Sequence, residues 1–95
     1  MINIIAHFFL KEENLEKAFS AAKELADETR KEKGCNKYNF YQDASNKSHL
    51  IFMEEWETQA DLDSHCETRH FKALVPRIEE LREKDGFVEF FNKIV

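Results

Sequence analysis

Apolar and polar residues alternate over residues 2–10, which predicts a β-strand. Successive side chains of a strand point to opposite faces. One face carries an entirely apolar row of Ile2, Ile4, Ala6, Phe8 and Leu10. The other face carries Asn3, Ile5, His7 and Phe9. We therefore predict a strand that needs apolar cover on both sides.

Residues 15–29 follow a different period, which predicts an amphipathic helix. Apolar or small residues recur at steps of three and four, at Leu15, Ala18, Phe19, Ala22, Leu25, Ala26 and Thr29. Asn14 is the candidate N-cap, and Gly34 suits the turn after the helix end.

Two further apolar segments, 35–43 and 48–56, predict a β-hairpin. The intervening residues 43–47 are rich in side chains that bond their own backbone, as turns require. In the first segment Tyr38 and Phe40 share a face opposite Tyr41. In the second, Leu50, Phe52, Glu54 and Trp56 share one face, and Ile51 and Met53 share the other.

A second helical region is predicted to open at Thr58, with Asp61 completing a capping-box pattern. Leu62, His65 and Cys66 share a helix face there. Thr68 is predicted to cap a further turn, and the helical pattern then continues from Phe71 to Leu81.

One proline and one glycine mark the expected element boundaries in the last part of the chain. Pro76 predicts a kink or the start of a new segment, because it lacks a backbone N–H. Gly86 is expected to end the helical region, and residues 87–95 are expected to form the last strand.

The predicted element order is β-α-β-β-α-β, the ferredoxin-like pattern of an α+β protein. It places an antiparallel sheet under helices that lie on one face only. The strands are apolar on both faces, and the chain has no third layer for the second face. We therefore expect one domain over residues 1–95 that forms a homodimer, a dimeric α+β barrel, by pairing these faces.

Composition excludes several kinds of partner. The 95 residues carry 14 basic and 19 acidic side chains, a net charge of −5, and no basic stripe. Nucleic acid and anionic membrane surfaces are therefore not expected as partners. The apolar N-terminal run is too short for a membrane span or a signal peptide, so a cytoplasmic location is expected. Cys35 and Cys66 are interpreted as reduced thiols.

Glu54 and Trp56 are the first candidates for chemistry. They share a strand face with Phe52, and a carboxylate buried beside aromatic rings has a raised pKa that suits proton transfer. The alternative is that Glu54 lies at the sheet edge, pairs with a cation and does no chemistry.

The histidines allow both functional and structural interpretations. His65, on an apolar helix face, is either a base or hydrogen-bond donor for a bound ring, or a core residue bonded to a backbone carbonyl. His70 is expected to cap a turn or line the mouth of a pocket. His7 is expected to be structural within the interface face, and His49 is expected to be exposed.

No metal site is predicted. The gap between His65 and His70 places them on different helical faces with a turn between them, and Cys66 points elsewhere. Metal ligands must converge on one point.

Several short motifs together resemble the antibiotic biosynthesis monooxygenase domain, of the quinol monooxygenase type. They are residues 28–35 (ETRKEKGC), Tyr38, Gln42-Asp43, Glu54-x-Trp56, Ala60, His65 and Thr68-x-His70-Phe71. The resemblance spans nearly the whole chain. It implies a ferredoxin-like subunit that dimerises through its sheet. Some members of this family oxidise phenols or quinols to quinones with O₂ and without metal, flavin or haem.

Two relatives within that resemblance imply different chemistry. Haem-degrading members carry an iron-ligating histidine a few residues after the position of Phe71, whereas residues 72–75 here are Lys-Ala-Leu-Val. Haem is therefore not the expected substrate. Another relative isomerises a small phosphorylated ketone and shares the histidine at the position of His65. A non-catalytic dimeric module for ligand binding or stress response is the third alternative.

The leading hypothesis is a cofactor-independent monooxygenase that acts on a quinol or phenolic small molecule and O₂. His65 and Glu54 would handle protons in a pocket between the sheet and the helices. Trp56, Tyr38, Phe52, His70 and Phe71 would bind the substrate, with Trp56 stacked on its ring. No metal or other cofactor is expected.

Overall fold

The structure is a computed structural model that describes residues 1–95. Its strands are β1 (Ile2–Leu10), β2 (Cys35–Asp43), β3 (Asn46–Trp56) and β4 (Arg82–Phe91). Its helices are α1 (Leu15–Thr29), α2 (Gln59–Cys66) and α3 (Arg69–Glu79), and a short 3₁₀ turn, Glu12–Asn14, precedes α1.

The four strands form one antiparallel sheet in the order β2-β3-β1-β4. This arrangement confirms the predicted ferredoxin-like α+β fold. The sheet has an inner face, which the helices cover, and an outer face, which no element of the chain covers. The inner face carries Ile4, Ala6, Leu50, Phe52 and Trp56, all of which are buried.

The core lies between the inner face and α1, where small side chains let the helix approach the sheet closely. Ala18 and Ala22 are fully buried, and Leu25 fills the space beside them. These residues belong to the helix face that the periodicity predicts. No helix is both long enough and apolar enough to cross a membrane.

The threonine caps are confirmed. The Thr58 and Thr68 side chains accept hydrogen bonds from the backbone N–H groups of Asp61 and Phe71 respectively. Asn14 does occupy the N-cap position of α1, but its side chain makes no capping bond. The chain enters α1 from the 3₁₀ turn, so the backbone at Asn14 is not extended as in an ordinary N-cap.

The expectation for Pro76 is wrong in one respect, because no new segment begins there. Helix α3 continues through Pro76 to Glu79. The break between helical segments comes earlier, at Glu67 and Thr68. Since Pro76 lies near the helix end, α3 forgoes the bond to the carbonyl of Lys72 and keeps the bonds on either side.

The boundary of the last strand is also corrected. β4 begins at Arg82, Gly86 lies inside it, and residues 92–95 follow it outside the sheet. A Cβ at Gly86 would overlap the backbone carbonyl of His7, and the β1–β4 register shifts just beyond that point. Gly86 therefore marks a close approach of two backbones inside β4 rather than the end of the helical region.

Apolar side chains remain exposed on the outer face and along β4. Met53, Phe87 and Phe91 lie on the outer face and are 41%, 50% and 46% exposed. Val88 and Phe90 point to the inner face of β4, where the helices do not reach, and are also exposed.

Candidate active site

A cavity of about 740 Å³ lies between the inner face of β1 and β4 and the helices α2 and α3. Its apolar wall includes Phe8, Tyr38, Phe52, Leu62, Phe71 and Val75. Glu54 and His65 also line it. The cavity is open at β4, because Val88 and Phe90 form part of its rim and are exposed. Its size and aromatic wall suit a small ring-containing molecule.

Glu54 lies on the inner row of β3 between Phe52 and Trp56. The indole Nε1–H of Trp56 donates to Glu54 Oε1 at 2.9 Å. Burial raises the pKa of Glu54 to about 7; the Trp56 bond opposes this rise, and the charge of Glu32 adds to it. Near neutral pH, Glu54 is therefore able both to give and to take a proton.

Trp56 lies behind the cavity wall rather than on it. Its side chain is fully buried, it is absent from the cavity lining, and its ring centroid is 4.6 Å from that of His65. Trp56 is thus placed to hold the Glu54 carboxylate and support the His65 ring. Stacking on a bound molecule would require the wall to move.

His65, on α2, is only 1% exposed. Its Nδ1 lies 2.8 Å from Oε2 of Glu32, and burial lowers the pKa of His65 although Glu32 opposes that shift. A neutral ring that donates Nδ1–H to Glu32 leaves Nε2 as an acceptor. Nε2 has no hydrogen-bond partner within the chain, and the ring lines the cavity.

Glu32 accepts a second hydrogen bond on the same oxygen, because Nε2 of His70 lies 2.6 Å from Oε2. The Glu32 side chain is 13% exposed and lies in the loop after α1, just before Gly34. Gly34 has φ +80° and packs against the Asp61 side chain at the start of α2. This tight contact brings the loop that carries Glu32 against the helix that carries His65.

The prediction that His65 and His70 do not converge is wrong. They lie on separate helices, and the break at Glu67 and Thr68 turns α3 so that both rings reach Glu32. His70 itself is absent from the cavity lining. Glu32 belongs to the motif 28–35, but no periodicity or spacing gave it a role.

Glu32, His65 and His70 could in principle supply three metal ligands, since their ligand atoms lie within 4.8 Å of one another. Ligand atoms about 2.0–2.2 Å from a metal stand roughly 3.3–3.6 Å apart in tetrahedral geometry, and roughly 2.8–3.1 Å apart at adjacent octahedral positions. Here the nitrogens lie 2.6 and 2.8 Å from one carboxylate oxygen. The cluster is therefore hydrogen-bonded as it stands and would have to open to receive a metal.

Aromatic rings surround His65 on its remaining sides. Tyr38 and Phe71 stand edge-on to it, with centroids 5.5 and 5.0 Å away. Burial, and after it the charge of Glu54, raises the pKa of Tyr38, so this phenol stays protonated. Phe52, 5.0 Å from Tyr38, continues the aromatic wall. The site combines one neutral imidazole, one titratable carboxyl and apolar surroundings.

The outer face holds the other two histidines. The expectation that His49 is exposed is wrong, because its side chain is only 20% exposed. Its ring stacks on Phe9 and bonds to Asp43, which reaches back from the hairpin turn. His7 stacks on Phe87 and bonds to both His49 and Glu89.

The fold and site define a small ferredoxin-like protein with an aromatic cavity, which a histidine and a carboxyl group also line. The chain belongs to the antibiotic biosynthesis monooxygenase family, whose model matches residues 1–77.

Two curated proteins illustrate the relationship. The Bacillus subtilis protein named "Putative monooxygenase YcnE" is 30% identical over 81 residues, which cover 85% of each chain. The uncharacterized protein sll1783 of Synechocystis is 26% identical over 91 residues, or 96% of this chain. The match spans only 62% of the length of sll1783.

Solved structures agree with the fold. A crystal structure described as an antibiotic biosynthesis monooxygenase superposes with a TM-score of 0.95, at 36% identity and full coverage of both chains. A conserved protein from Methanosarcina mazei Go1 gives 0.94 at 32% identity, covering 98% of this chain and 92% of the other.

Proposed function

We propose that this protein is a cofactor-independent monooxygenase of the quinol monooxygenase type, acting on a phenolic or quinol-like small molecule. The observation that carries the proposal is the convergence of His65 and Glu54 on one aromatic-lined cavity. An aromatic substrate would fill the space beside Tyr38, Phe52 and Phe71, and the two titratable groups would face its hydroxyl-bearing edge.

His65 would act first, as a general base. A phenol has a pKa of about 10, so little of the reactive anion exists at neutral pH without help. Nε2 of His65 is the free acceptor, and Glu32 stabilises the imidazolium that forms when it takes the phenol proton. The apolar wall would keep water from the anion and give O₂, itself apolar, access to it.

The overall reaction balances without an external reductant. A phenol with a ring C–H para to the hydroxyl loses the O–H and C–H protons, and the ring supplies all the electrons. One oxygen atom of O₂ becomes the second quinone carbonyl, and the other leaves as water. Glu54, with a pKa of about 7, is suited to accept the carbon-bound proton and return it to the departing oxygen.

The test is oxygen consumption by metal-stripped protein with a panel of naphthols and naphthoquinols. His65→Ala should lower turnover by at least about tenfold, the low end of general-base effects. Ser64→Ala, at the exposed neighbouring position of α2, is the matched control. A His65→Ala protein that melts several degrees lower yet keeps full activity per folded molecule would show that His65 has no catalytic role.

An isomerase of a small phosphorylated ketone is the second candidate. Its support is the same His65–Glu54 pair, which also suits proton transfer at a carbon beside a carbonyl, together with Arg82 in the cavity lining. This activity would consume no O₂ and would exchange a substrate carbon-bound proton with solvent, which NMR in D₂O detects.

We also propose that two copies associate through the outer face. The support is the row of exposed apolar side chains on Met53, Phe87 and Phe91, which the chain itself leaves uncovered. A two-fold pair would cover the same patch on both copies.

A further inference from the structure

A continuous row of hydrogen bonds crosses the outer face of the sheet. Asp43 Oδ2 lies 3.0 Å from His49 Nδ1, and His49 Nε2 lies 2.9 Å from His7 Nδ1. His7 Nε2 lies 2.6 Å from Glu89 Oε1. The row therefore joins one residue from each strand, in the order of the strands in the sheet. We call it the outer row.

The outer row needs more protons than neutral side chains supply. Three hydrogen bonds need three protons, one between each pair of neighbouring atoms. Two neutral imidazoles carry only two N–H protons, and ionised carboxylates carry none. The intact row therefore holds one proton more than neutral rings and ionised acids would, whether that proton is assigned to a ring or to a carboxyl.

Carboxyl groups stand at both ends of the row, and its two rings are partly buried. Asp43 is an anion at one end, because the backbone N–H of Ser45 and then the His49 ring lower its pKa. Glu89 supplies the second carboxylate at the other end. The His7 and His49 rings are 14% and 20% exposed, so both are partly shielded from water.

Other titratable groups share the outer face, namely Lys37 on β2 and Lys47 and Glu55 on β3 by strand alternation, and Lys84 and Tyr41. Lys84, on β4, places Nζ over the ring of Phe9, 4.5 Å from its centroid, so its charge lies on the same face. Tyr41, on β2, lines a small hollow together with His7, Asp43 and His49. None of these groups makes a hydrogen bond to the row, so none supplies the missing proton.

We propose that the outer row is a proton-binding site, in which His7 and His49 share one extra proton between Asp43 and Glu89. Since the row spans all four strands, the bound proton ties the exposed edge strand β4 to the rest of the sheet. The proposal does not depend on any activity of the protein, although His7 is also among the residues that line the cavity.

The test is a pH titration of the ¹⁵N-labelled full chain by long-range ¹H–¹⁵N NMR of the histidine rings. At about pH 7, near the ordinary range of imidazole, three ring nitrogens of His7 and His49 should be protonated. The third proton should leave both rings at one common midpoint. Glu89→Gln should lower that midpoint by at least half a pH unit, because an amide keeps the acceptor and removes the charge.

Glu83→Gln, at an exposed position on the same strand, is the matched control and should leave the midpoint unchanged. Two rings with one N–H each at about pH 7, titrating independently, would overturn the proposal. So would a folded Glu89→Gln protein with the wild-type midpoint. If Glu89→Gln does not fold, the number of protonated ring nitrogens of His7 and His49 in the wild-type chain is the deciding measurement.

Discussion

The two faces of the sheet use histidine pairs in opposite ways. On the inner side, His65 and His70 converge on a single oxygen of Glu32. On the outer side, His7 and His49 stand in line between two carboxylates. Two neutral rings satisfy the inner cluster completely, whereas the outer row needs a third proton.

This difference shows that hydrogen-bond arrangement, and not burial alone, sets the proton demand of a histidine pair. The inner arrangement keeps His65 neutral with one nitrogen free, which is the state a general base requires. The outer arrangement leaves no ring nitrogen free. We therefore expect proton transfer chemistry on the inner side and proton storage on the outer side.

The largest expected effect comes from Phe9→Asp, which places a charge beside the outer row, where Phe9 now stacks on His49. If a second copy covers this face, burying the unpaired carboxylate should weaken association by about 2–5 kcal/mol. Sedimentation at micromolar concentration should then show monomer or aggregate, while wild type sediments as a dimer.

Ser20→Asp adds the same charge at an exposed position of α1 and should leave the assembly unchanged. A wild-type chain that sediments as a stable monomer would refute the proposed dimer without bearing on the cavity.

Glu54→Gln tests whether protonation of the buried carboxyl on the inner side of the sheet is coupled to folding. The folded pKa of about 7 lies above the unfolded value of 4.5, so the folded state binds more protons between these values. The contribution of Glu54 to the free energy of unfolding is therefore complete below about pH 4.5, and it is lost as the pH rises through about 7. At about pH 8 the variant should be more stable than wild type by roughly 3 kcal/mol.

Urea unfolding of both proteins across this pH range measures the difference directly. Parallel stability curves for wild type and Glu54→Gln would show that the carboxyl is not proton-coupled to folding.

Glu32→Gln tests whether the shared acceptor positions His65. The neutral amide loses the charge that stabilises the imidazolium and presents N–H groups where an acceptor is needed. We expect turnover to fall about tenfold, or about 1.4 kcal/mol. Ring NMR should also show a smaller fraction of the Nδ1–H tautomer at His65.

Glu28→Gln is the control, because Glu28 is an exposed acid near the end of α1, the helix before the Glu32 loop, and is paired only with Lys31. A merely structural role for Glu32 would lower the melting temperature but leave the His65 tautomer and the turnover per folded molecule unchanged.

Removal of metal should have the smallest effect of all. Because the inner cluster is closed by hydrogen bonds, dialysis against a chelator should change turnover by less than about twofold, a barrier change near 0.4 kcal/mol. Elemental analysis that finds one equivalent of a transition metal in protein purified without added metal would make Glu32, His65 and His70 a metal centre instead.

Sequence patterns predicted most of the helices and strands, because the buried positions of these elements recur at regular intervals along the chain. The alternation over 2–10 separated the inner-face side chains of β1 from its outer-face side chains, and the threonines at 58 and 68 marked both helix starts. Gly86 was expected to end the helical region, but it lies inside β4, where a residue without a side chain allows a close approach to the β1 backbone.

The site was predicted less completely, since its key contacts depend on tertiary geometry. Glu54 lies on a strand and His65 on a helix, so the periodicity of each element predicted the face on which the side chain lies. Glu32 lies in an aperiodic loop, and its two partners meet only because α2 and α3 change direction between His65 and His70. Nothing in residue spacing specifies that change of direction.

Gly34 has a consequence for how this protein can vary in length. Its backbone carbonyl accepts a bond from the N–H of Glu57, and its bare Cα faces Asp61. The short connection from α1 to β2 is thus clamped against the start of α2, and added residues there would carry Glu32 away from both imidazoles. The hairpin tip at Ala44 and Ser45 has no such neighbour, so insertions and natural length variation are expected at the hairpin rather than at the Gly34 turn.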